Sequence, residues 1–186
     1  SGLDNVTSIG GDLRIEDNNS LTNLTGLDAL TSIGGGLFLG GCDALTDLTG
    51  LETLTTIFGT LHIVNNIALS NLISLEGLTF IEGGMMIFYN ESLSSLSGFE
   101  GVTSIGELHI EGNNALINLT GLYCLTFING FVEIWDNDSL TSLTGLEGVD
   151  SINGYIWIEN NHALTSLTGI DNIVSSTISI ILTIVN

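Results

Sequence analysis

The chain has 186 residues, enough for one ordinary domain, and 44 % of them are hydrophobic, so a sizeable core can form. Its 21 acidic residues face a single basic residue, Arg14, which gives a formal net charge of −20. This balance excludes nucleic-acid phosphates and anionic membrane surfaces as expected partners, because almost nothing basic is present to neutralise them. The apolar content also excludes a disordered acidic chain.

A unit of 24 residues repeats along the whole chain. Full copies start at residues 2, 26, 50, 74, 98, 121 and 145, and a partial copy starts at 169. The copy from residue 98 is the one exception in length, with 23 residues. Neither a linker nor a change in composition separates the copies, so residues 1–186 are expected to form a single repeat domain.

Each unit predicts one short strand with one buried face. In the first copy Leu13 and Ile15 are two residues apart, which is the period of a half-buried strand, and their equivalents in the other copies are apolar. Leu21, Leu24 and Leu27 then follow at intervals of three, which favours an extended or turn-like segment. Glycines before the strand and at the start of the unit predict sharp corners.

One 24-residue unit cannot bury its own apolar face, but stacked copies can. Equivalent side chains would then form ladders with a spacing of about 4.8 Å, the distance between paired strands. The sequence therefore predicts an all-β fold, a parallel β-helix or solenoid of about eight 24-residue turns.

An asparagine recurs at the corner after the strand, where its side chain can bond backbone groups that a turn leaves unpaired. Cys42 takes this place in the second copy and is expected to be a buried substitute. Cys124 would lie about 19 Å away in such a stack, so both cysteines are expected to be free thiols. The asparagine column comprises Asn18, Asn66, Asn90, Asn113, Asn137 and Asn161.

The run Leu13-x-Ile15-x-x-Asn18-x-x-Leu21 resembles a leucine-rich repeat, in which the asparagine position also accepts cysteine. The phrase LTSIGG over 30–35, followed by a Leu-x-Leu strand, is similar to the receptor L-domain type. This resemblance implies a short right-handed β-helix of the kind found in receptor ectodomains and in microbial surface proteins. The disulfide-bonded ends of that family are missing and the turns are more uniform, which favours a microbial or otherwise extracellular repeat protein.

The outward positions of the predicted strand are rich in aromatic residues. Exposed rings on a rigid sheet suit sugars or protein partners, but cross-strand packing and strand propensity produce the same pattern, and both interpretations stay open. The candidate binding residues are Phe131, Trp135, Tyr155 and Trp157, where a site would centre, with Phe88 and Phe38 further along the face.

One acidic residue recurs near the start of most copies. These carboxylates could form weak calcium sites, since hard cations take carboxylate oxygens. Turn capping, in which each carboxylate accepts N–H bonds from the residues that follow, is favoured because one carboxylate per turn is sparse for calcium. The weak metal candidates are Asp28, Glu52, Glu76 and Glu100, and no other cofactor is expected.

Two further patterns follow the repeat. Three threonine columns resemble the arrays of ice-binding proteins, although hydroxyl ladders that satisfy each other between turns are the favoured interpretation. The sequence Asn-x-Ser/Thr would mark glycan acceptors in a secreted eukaryotic protein. Because Asn18, Asn90 and Asn137 are expected in the buried column, the glycosylation candidates are Asn5, Asn23 and Asn118.

The ends of the sequence carry two expectations. The chain begins without an initiator Met or an apolar leader, which suits a processed protein or a fragment. The last copy turns into a β-branched run over 175–185, expected to be a strand with an adhesive outer edge. Both features suggest self-assembly or a longer parent chain.

Enzymatic constellations are not visible in the sequence. His62 and His109 share one outward column but would lie about 9–10 Å apart, too far to ligate one metal ion. We therefore expect a non-enzymatic scaffold, secreted or at the cell surface, that acts as a structural or adhesive module in a larger surface or filamentous assembly. Its expected partners are other protein subunits or surface glycans. The alternatives are a receptor-like domain that binds carbohydrate or protein, and an ice-binding protein.

Overall fold

The fold is an all-β parallel solenoid. A computed structural model describes residues 3–174 and the backbone of a last strand, Thr183–Val185, and these residues contain no α-helix. The strands are β1 (Ser8–Ile9), β2 (Leu13–Glu16), β3 (Ser32–Ile33), β4 (Leu37–Gly40), β5 (Thr56–Ile57), β6 (Leu61–Val64), β7 (Phe80–Ile81), β8 (Met85–Phe88), β9 (Ser104–Ile105), β10 (Leu108–Glu111), β11 (Phe127–Ile128), β12 (Val132–Trp135), β13 (Ser151–Ile152), β14 (Ile156–Glu159) and β15 (Thr183–Val185). A single turn of 3-10 helix spans Ile73–Leu75.

The four-residue strands form one parallel main sheet, in the order β15-β14-β12-β10-β8-β6-β4-β2. The two-residue strands form two minor sheets on another side of the coil, β1-β3-β5-β7 and β9-β11-β13. Equivalent repeat positions are paired throughout, as in the alignment of Leu13 with Leu37 and of Leu37 with Leu61. The predicted stacking of copies in register is therefore confirmed.

The core consists of the predicted apolar ladders. Ile63 and Ile110 have no exposed surface, and burying a side chain of this size stabilises the fold by about 1.5–3 kcal/mol. Ile15 is only half-buried, because β2 has a neighbouring strand on one side alone among the described residues. The main strands accordingly alternate buried and half-buried residues, with one face in the core.

The described solenoid has about six turns, counted from β2 to β14 along the main sheet, which is fewer than the eight that the repeat predicts. Residues 1–2, 175–182 and 186 lie outside the described part of the chain. Most of the expected terminal strand over 175–185 lies there too. Within it, Thr183–Val185 pairs in parallel with β14.

The asparagine column forms a buried ladder between turns. Asn90 donates its backbone N–H to Oδ1 of Asn113 at 3.1 Å, and its Nδ2 donates to the carbonyl oxygens of Ile63 and Phe88 at 2.9 and 3.0 Å. Each asparagine thus satisfies the corner after its own strand and the edge of the strand before it. The Nδ2 bond to a carbonyl of the preceding main strand recurs at the other buried members of the ladder, Asn66, Asn113, Asn137 and Asn161.

The first two positions of this ladder depart from a simple repeat. Asn18 is exposed, so its expected burial is wrong: β2 has no neighbour on its outer side among the described residues, and the Asn18 side chain donates only to the Glu16 carbonyl. Cys42 is buried as predicted and donates its backbone N–H to Oδ1 of Asn66 at 3.1 Å. Cys42 and Cys124 are both free thiols, which confirms the prediction.

Candidate functional site

The outer face of the main sheet carries the side chains that alternate with the core residues. Four rings on the strands β8, β10, β12 and β14 form a continuous series on this face, which we call the aromatic row. Paired strands lie only about 4.8 Å apart, so large side chains on successive strands must touch. The aromatic row consists of Phe88, His109, Trp135 and Trp157.

Contacts along the aromatic row follow one another from strand to strand. The ring centroids of Phe88 and His109 are 4.4 Å apart, and those of His109 and Trp135 are 5.7 Å apart. Trp135 and Trp157 follow at 6.2 Å, with ring planes within 15° of parallel. Trp157 is 42 % exposed, so the last ring offers a large apolar surface to a ligand.

Phe131 and Tyr155 form a second aromatic pair, just before β12 and β14. Their centroids are 5.4 Å apart and their planes differ by 13°. The Tyr155 hydroxyl donates to the Glu133 carboxylate, and this hydrogen bond is the main reason that the pKa of Tyr155 rises to about 12. The structure therefore brings the four central candidates into two stacked pairs on neighbouring strands.

Polar side chains bridge the middle of the aromatic row, and we call them the polar network. The His109 ring lies between two carboxylates: its Nε2 is 3.3 Å from Glu111 Oε2, and its Nδ1 is 3.3 Å from Glu133 Oε2. The Trp135 indole N–H donates to His109 Nε2, and the Tyr89 hydroxyl donates to Glu111. These side chains form one connected set together with Tyr155, which bonds Glu133. The polar network consists of Tyr89, His109, Glu111, Glu133, Trp135 and Tyr155.

Burial controls the charge of the polar network. It lowers the pKa of His109, an effect that the negative charge of Glu133 partly opposes. Burial also raises the pKa of Glu111, and the nearby Asp136 and Glu133 carboxylates raise it further. Burial therefore favours the uncharged form of His109, in which one ring nitrogen is free to accept a hydrogen bond.

Phe38 lies apart from the aromatic row, with Met86 between them on β8. Its ring packs between Arg14, whose guanidinium carbon is 3.8 Å from the ring centroid, and His62, whose centroid is 4.7 Å away. Beside it Gly40 leaves a cavity of about 410 Å³ on the outer face. The cavity is lined by Glu16, Asp17, Phe38, Leu39, Gly40, Gly41, His62, Val64 and Asn65.

The acidic column caps turns, but in the opposite direction to the one predicted. Asp28 and Glu52 accept the backbone N–H of the glycine two residues before them, at 2.7 and 2.8 Å. The preceding glycine adopts a positive φ that turns its N–H towards the carboxylate, as at Gly50 with φ 111°. Glu100 repeats the bond at 2.7 Å. Glu76 follows the 3-10 helix, where Ser74 replaces the turn glycine.

Most residues of the threonine columns are exposed, and hydroxyls of the column that contains Thr55 and Thr79 bond to the backbone. Thr55 Oγ1 donates to the Thr31 carbonyl oxygen at 3.0 Å, and Thr79 Oγ1 donates to the Thr55 carbonyl at 3.3 Å. The expected hydroxyl-to-hydroxyl ladders between turns are thus replaced in these rows by hydroxyl-to-carbonyl ladders. One hydroxyl proton per residue is therefore already engaged.

The glycosylation candidates differ in their surroundings. Asn5 is exposed, whereas Asn23 and Asn118 are half-buried. The Oδ1 atoms of Asn23 and Asn118 accept the backbone N–H of Thr25 and Thr120, at 3.1 and 3.0 Å. All three stay candidates for glycosylation.

The polar network was missed by reasoning from the sequence. The in-register alignment that places His109 beside Glu133 was predictable, since both fall in one outward column. The contact between His109 and Trp135 crosses from one outward column to the other, and it depends on side-chain rotamers that the repeat pattern does not specify. The signal that the sequence offered was a histidine with carboxylates at neighbouring outward positions, Glu111 on the same strand and Glu133 on the next.

Comparison of this chain with protein-family models, with curated proteins and with solved structures finds no match. Within residues 3–174, no three His, Cys, Asp or Glu side chains are grouped so that they could hold a metal ion. No helix in the described part of the chain is long and apolar enough to cross a membrane. The functional argument therefore depends on the geometry of the outer face.

Proposed function

We propose that this chain is a non-enzymatic adhesive scaffold, secreted or displayed at a cell surface, that binds carbohydrate on the outer face of its main sheet. One observation carries the proposal: rings on four strands form a continuous row that ends in the exposed Trp157. The apolar faces of sugar rings stack on such aromatic surfaces, and a rigid sheet holds the rings in place before the ligand arrives.

Charge favours an uncharged saccharide over an acidic one. Glu133 and Glu159 flank the aromatic row, and carboxylate oxygens accept hydrogen bonds from sugar hydroxyls. Glu159 already accepts the Trp157 indole N–H at 2.8 Å, so its position beside the ring is fixed. The same carboxylates and the net charge of −20 repel uronate or sulfate groups.

We also infer that the repeat is leucine-rich and of the receptor L-domain type. The inference is supported by the strand-and-asparagine phrase together with the buried ladder that it produces. Cys42 in an asparagine rung supports it as well, because that position accepts cysteine in leucine-rich repeats. Scaffolds of this kind carry unrelated binding tasks, so the ligand is argued from the outer face alone.

Binding of the intact chain to an array of neutral and acidic glycans tests the proposed function. We expect binding to neutral glycans that Trp157→Ala weakens at least tenfold, since aromatic anchors dominate such contacts. Phe58→Ala is the matched control, because Phe58 is 51 % exposed but follows β5 in a minor sheet, and it should bind normally. No glycan binding, or equal losses in both variants, would contradict the proposal.

A second candidate function is head-to-tail assembly with another copy of this chain. The outer edge of β2 is unpaired among the described residues, and beside it lies an apolar cavity of about 380 Å³ lined in part by Leu13, Ile15 and Leu21. A copy whose last strand paired with β2 would extend the main sheet in register, as successive turns do within one chain.

Sedimentation velocity over a range of concentrations tests this assembly. Ile15→Glu places a charge in the half-buried β2 edge and should abolish any concentration-dependent association. Ile117→Glu, at a residue 52 % exposed on a different side of the coil, should leave it unchanged. A wild-type chain that stays monomeric at all concentrations would contradict the second candidate.

A further inference from the structure

We propose that His109 positions Trp135 within the aromatic row, and that one proton added to the His109–Glu111 pair releases Trp135, so that acid loosens the row. The proposal rests on the proposed function only for its consequence in ligand binding. The positioning itself is a property of the free protein, and it can be tested without a ligand.

In the neutral state, the hydrogen bonds around His109 specify where its proton lies. Nε2 accepts the indole N–H of Trp135, so the ring proton is on Nδ1, which faces the Glu133 carboxylate at 3.3 Å. The two rings are also stacked, with planes that differ by 14° and centroids 5.7 Å apart. Trp135 is thereby held in one orientation.

Added acid creates a competitor for that lone pair. Glu111 Oε2 lies 3.3 Å from Nε2, the same atom to which Trp135 donates. A proton taken up by either His109 or Glu111 ends in a hydrogen bond between Nε2 and Oε2. In both cases the Nε2 lone pair is occupied, and Trp135 loses its acceptor.

The surroundings of the pair favour the uptake of this proton on acidification. No titratable residue is present in β8 itself, whose outward residues opposite the pair are Met86 and Phe88. The burial of Glu111 and the repulsion from Asp136 and Glu133 favour uptake of a proton. The titratable groups around the pair are Tyr89 after β8, Glu107 before β10, Glu133 and Asp136 on and after β12, and Tyr155 before β14.

Released from His109, Trp135 loses its fixed orientation towards Trp157, 6.2 Å away. A ligand that stacks on both rings would then have to order Trp135 as it binds. We expect affinity to fall about fivefold between neutral and mildly acid pH, the equivalent of one neutral hydrogen bond.

Nuclear magnetic resonance of the two indole N–H groups tests the switch directly. The chain has 2 tryptophans, so each gives one assignable signal, and Trp157 is an internal reference because its indole N–H bonds Glu159 instead. We expect the Trp135 signal to move upfield through a single transition as the pH is lowered from neutral, because its acceptor is lost. The Trp157 signal should not share that midpoint.

Three variants separate positioning from general acid effects. In His109→Gln the amide oxygen accepts the indole N–H but does not titrate, so the Trp135 signal should stay constant over the same range. In Glu111→Gln the partner that receives the proton is lost, so the transition should move to lower pH. His162→Gln, an exposed histidine paired with Asp138, is the matched control and should titrate like the wild type.

Backbone amide spectra at each pH confirm that every variant remains folded. The switch is wrong if the Trp135 signal stays still in the wild type, or if it moves equally in His109→Gln. Glycan binding measured on the same samples is a separate outcome. Absent binding with a titrating Trp135 would contradict the proposed function alone, whereas pH-independent binding with a stationary Trp135 would contradict the switch alone.

Discussion

Asparagine closes the corner after most main strands, because its short amide side chain offers both a donor and an acceptor. At Asn113, Nδ2 donates to two carbonyls while Oδ1 accepts the backbone N–H of Asn90 from the turn before. A buried peptide group left without a partner costs about 1–3 kcal/mol, so each rung stabilises its corner strongly. The second rung is the weak one, because Cys42 has only a thiol there.

Replacing Cys42 with asparagine should therefore stabilise the protein. The Cys42 Sγ atom lies 3.5 Å from the Gly40 carbonyl and 3.8 Å from that of Ile15, the two acceptors that an asparagine Nδ2 would use. We expect Cys42→Asn to raise the free energy of unfolding by about 1 kcal/mol in urea titrations. Cys124→Asn, outside the ladder, should give no gain. A Cys42→Asn protein less stable than the wild type would refute the ladder energetics.

Residue-scale prediction from the sequence works where a position recurs in every turn. The buried states of Ile63 and Ile110 follow from the apolar columns, since each is covered by its equivalents above and below. The prediction fails where the neighbour differs: Asn18 has no turn on its outer side among the described residues. The His109–Trp135 contact could not be predicted from the sequence either, because it links two unlike columns.

At the scale of the element, the corners decide the shape of each turn. The glycine at the start of a copy has a φ between 111° and 123° wherever the structure gives one as positive, from Gly26 to Gly169. A Cβ atom on Gly121 would lie 2.1 Å from the Leu96 carbonyl oxygen of the turn below. Both the backbone angle and the close stacking therefore require glycine.

Gly121→Ala should destabilise the chain by about 2–4 kcal/mol, because it combines an unfavourable φ with a clash against backbone. The matched control is Gly40→Val in β4, where a Cβ atom meets nothing closer than 3.5 Å and neighbouring β6 already has Val64. That variant should be neutral or slightly stabilising, since valine suits a strand. Thermal unfolding followed by circular dichroism gives both values. Equal losses in the two variants would contradict this account of the corner.

The acidic column shows which features of a turn can be predicted from the sequence and which cannot. The sequence places the carboxylates at a turn and favours capping, and Asp28, Glu52 and Glu100 do cap turns. The expected donors were the following residues, whereas the donor is the glycine two positions earlier. The direction depends on the positive φ of that glycine, which a pattern of residue types does not fix.

At the scale of the whole molecule, charge opposes the stack. A formal charge of −20 on 186 residues repels itself, and carboxylates from successive turns lie in rows. Salt screens this repulsion, with a Debye length that falls from about 30 Å at 0.01 M to about 10 Å at 0.1 M. The unfolding temperature should therefore rise with sodium chloride over this range.

Calcium offers a sharper test of the acidic column. If the carboxylates only cap turns, calcium chloride should raise the unfolding temperature no more than magnesium chloride does at equal ionic strength. Glu52→Gln removes one capping charge next to Gly50 and should not change the comparison. A rise specific to calcium, reduced in Glu52→Gln, would instead support the weak metal sites considered for Asp28, Glu52, Glu76 and Glu100.

The in-register stack is the claim on which the aromatic row, the ladder and both proposals depend. Distances between spin labels on one exposed column measure it most directly, in a Cys42→Ala, Cys124→Ser background. Cysteine replaces threonine at residues 31 and 126, four turns apart, and then at residues 7 and 126, five turns apart. The account predicts distances of about 19 Å and 24 Å, a difference of one strand spacing. Equal distances, or broad distributions for both pairs, would contradict it.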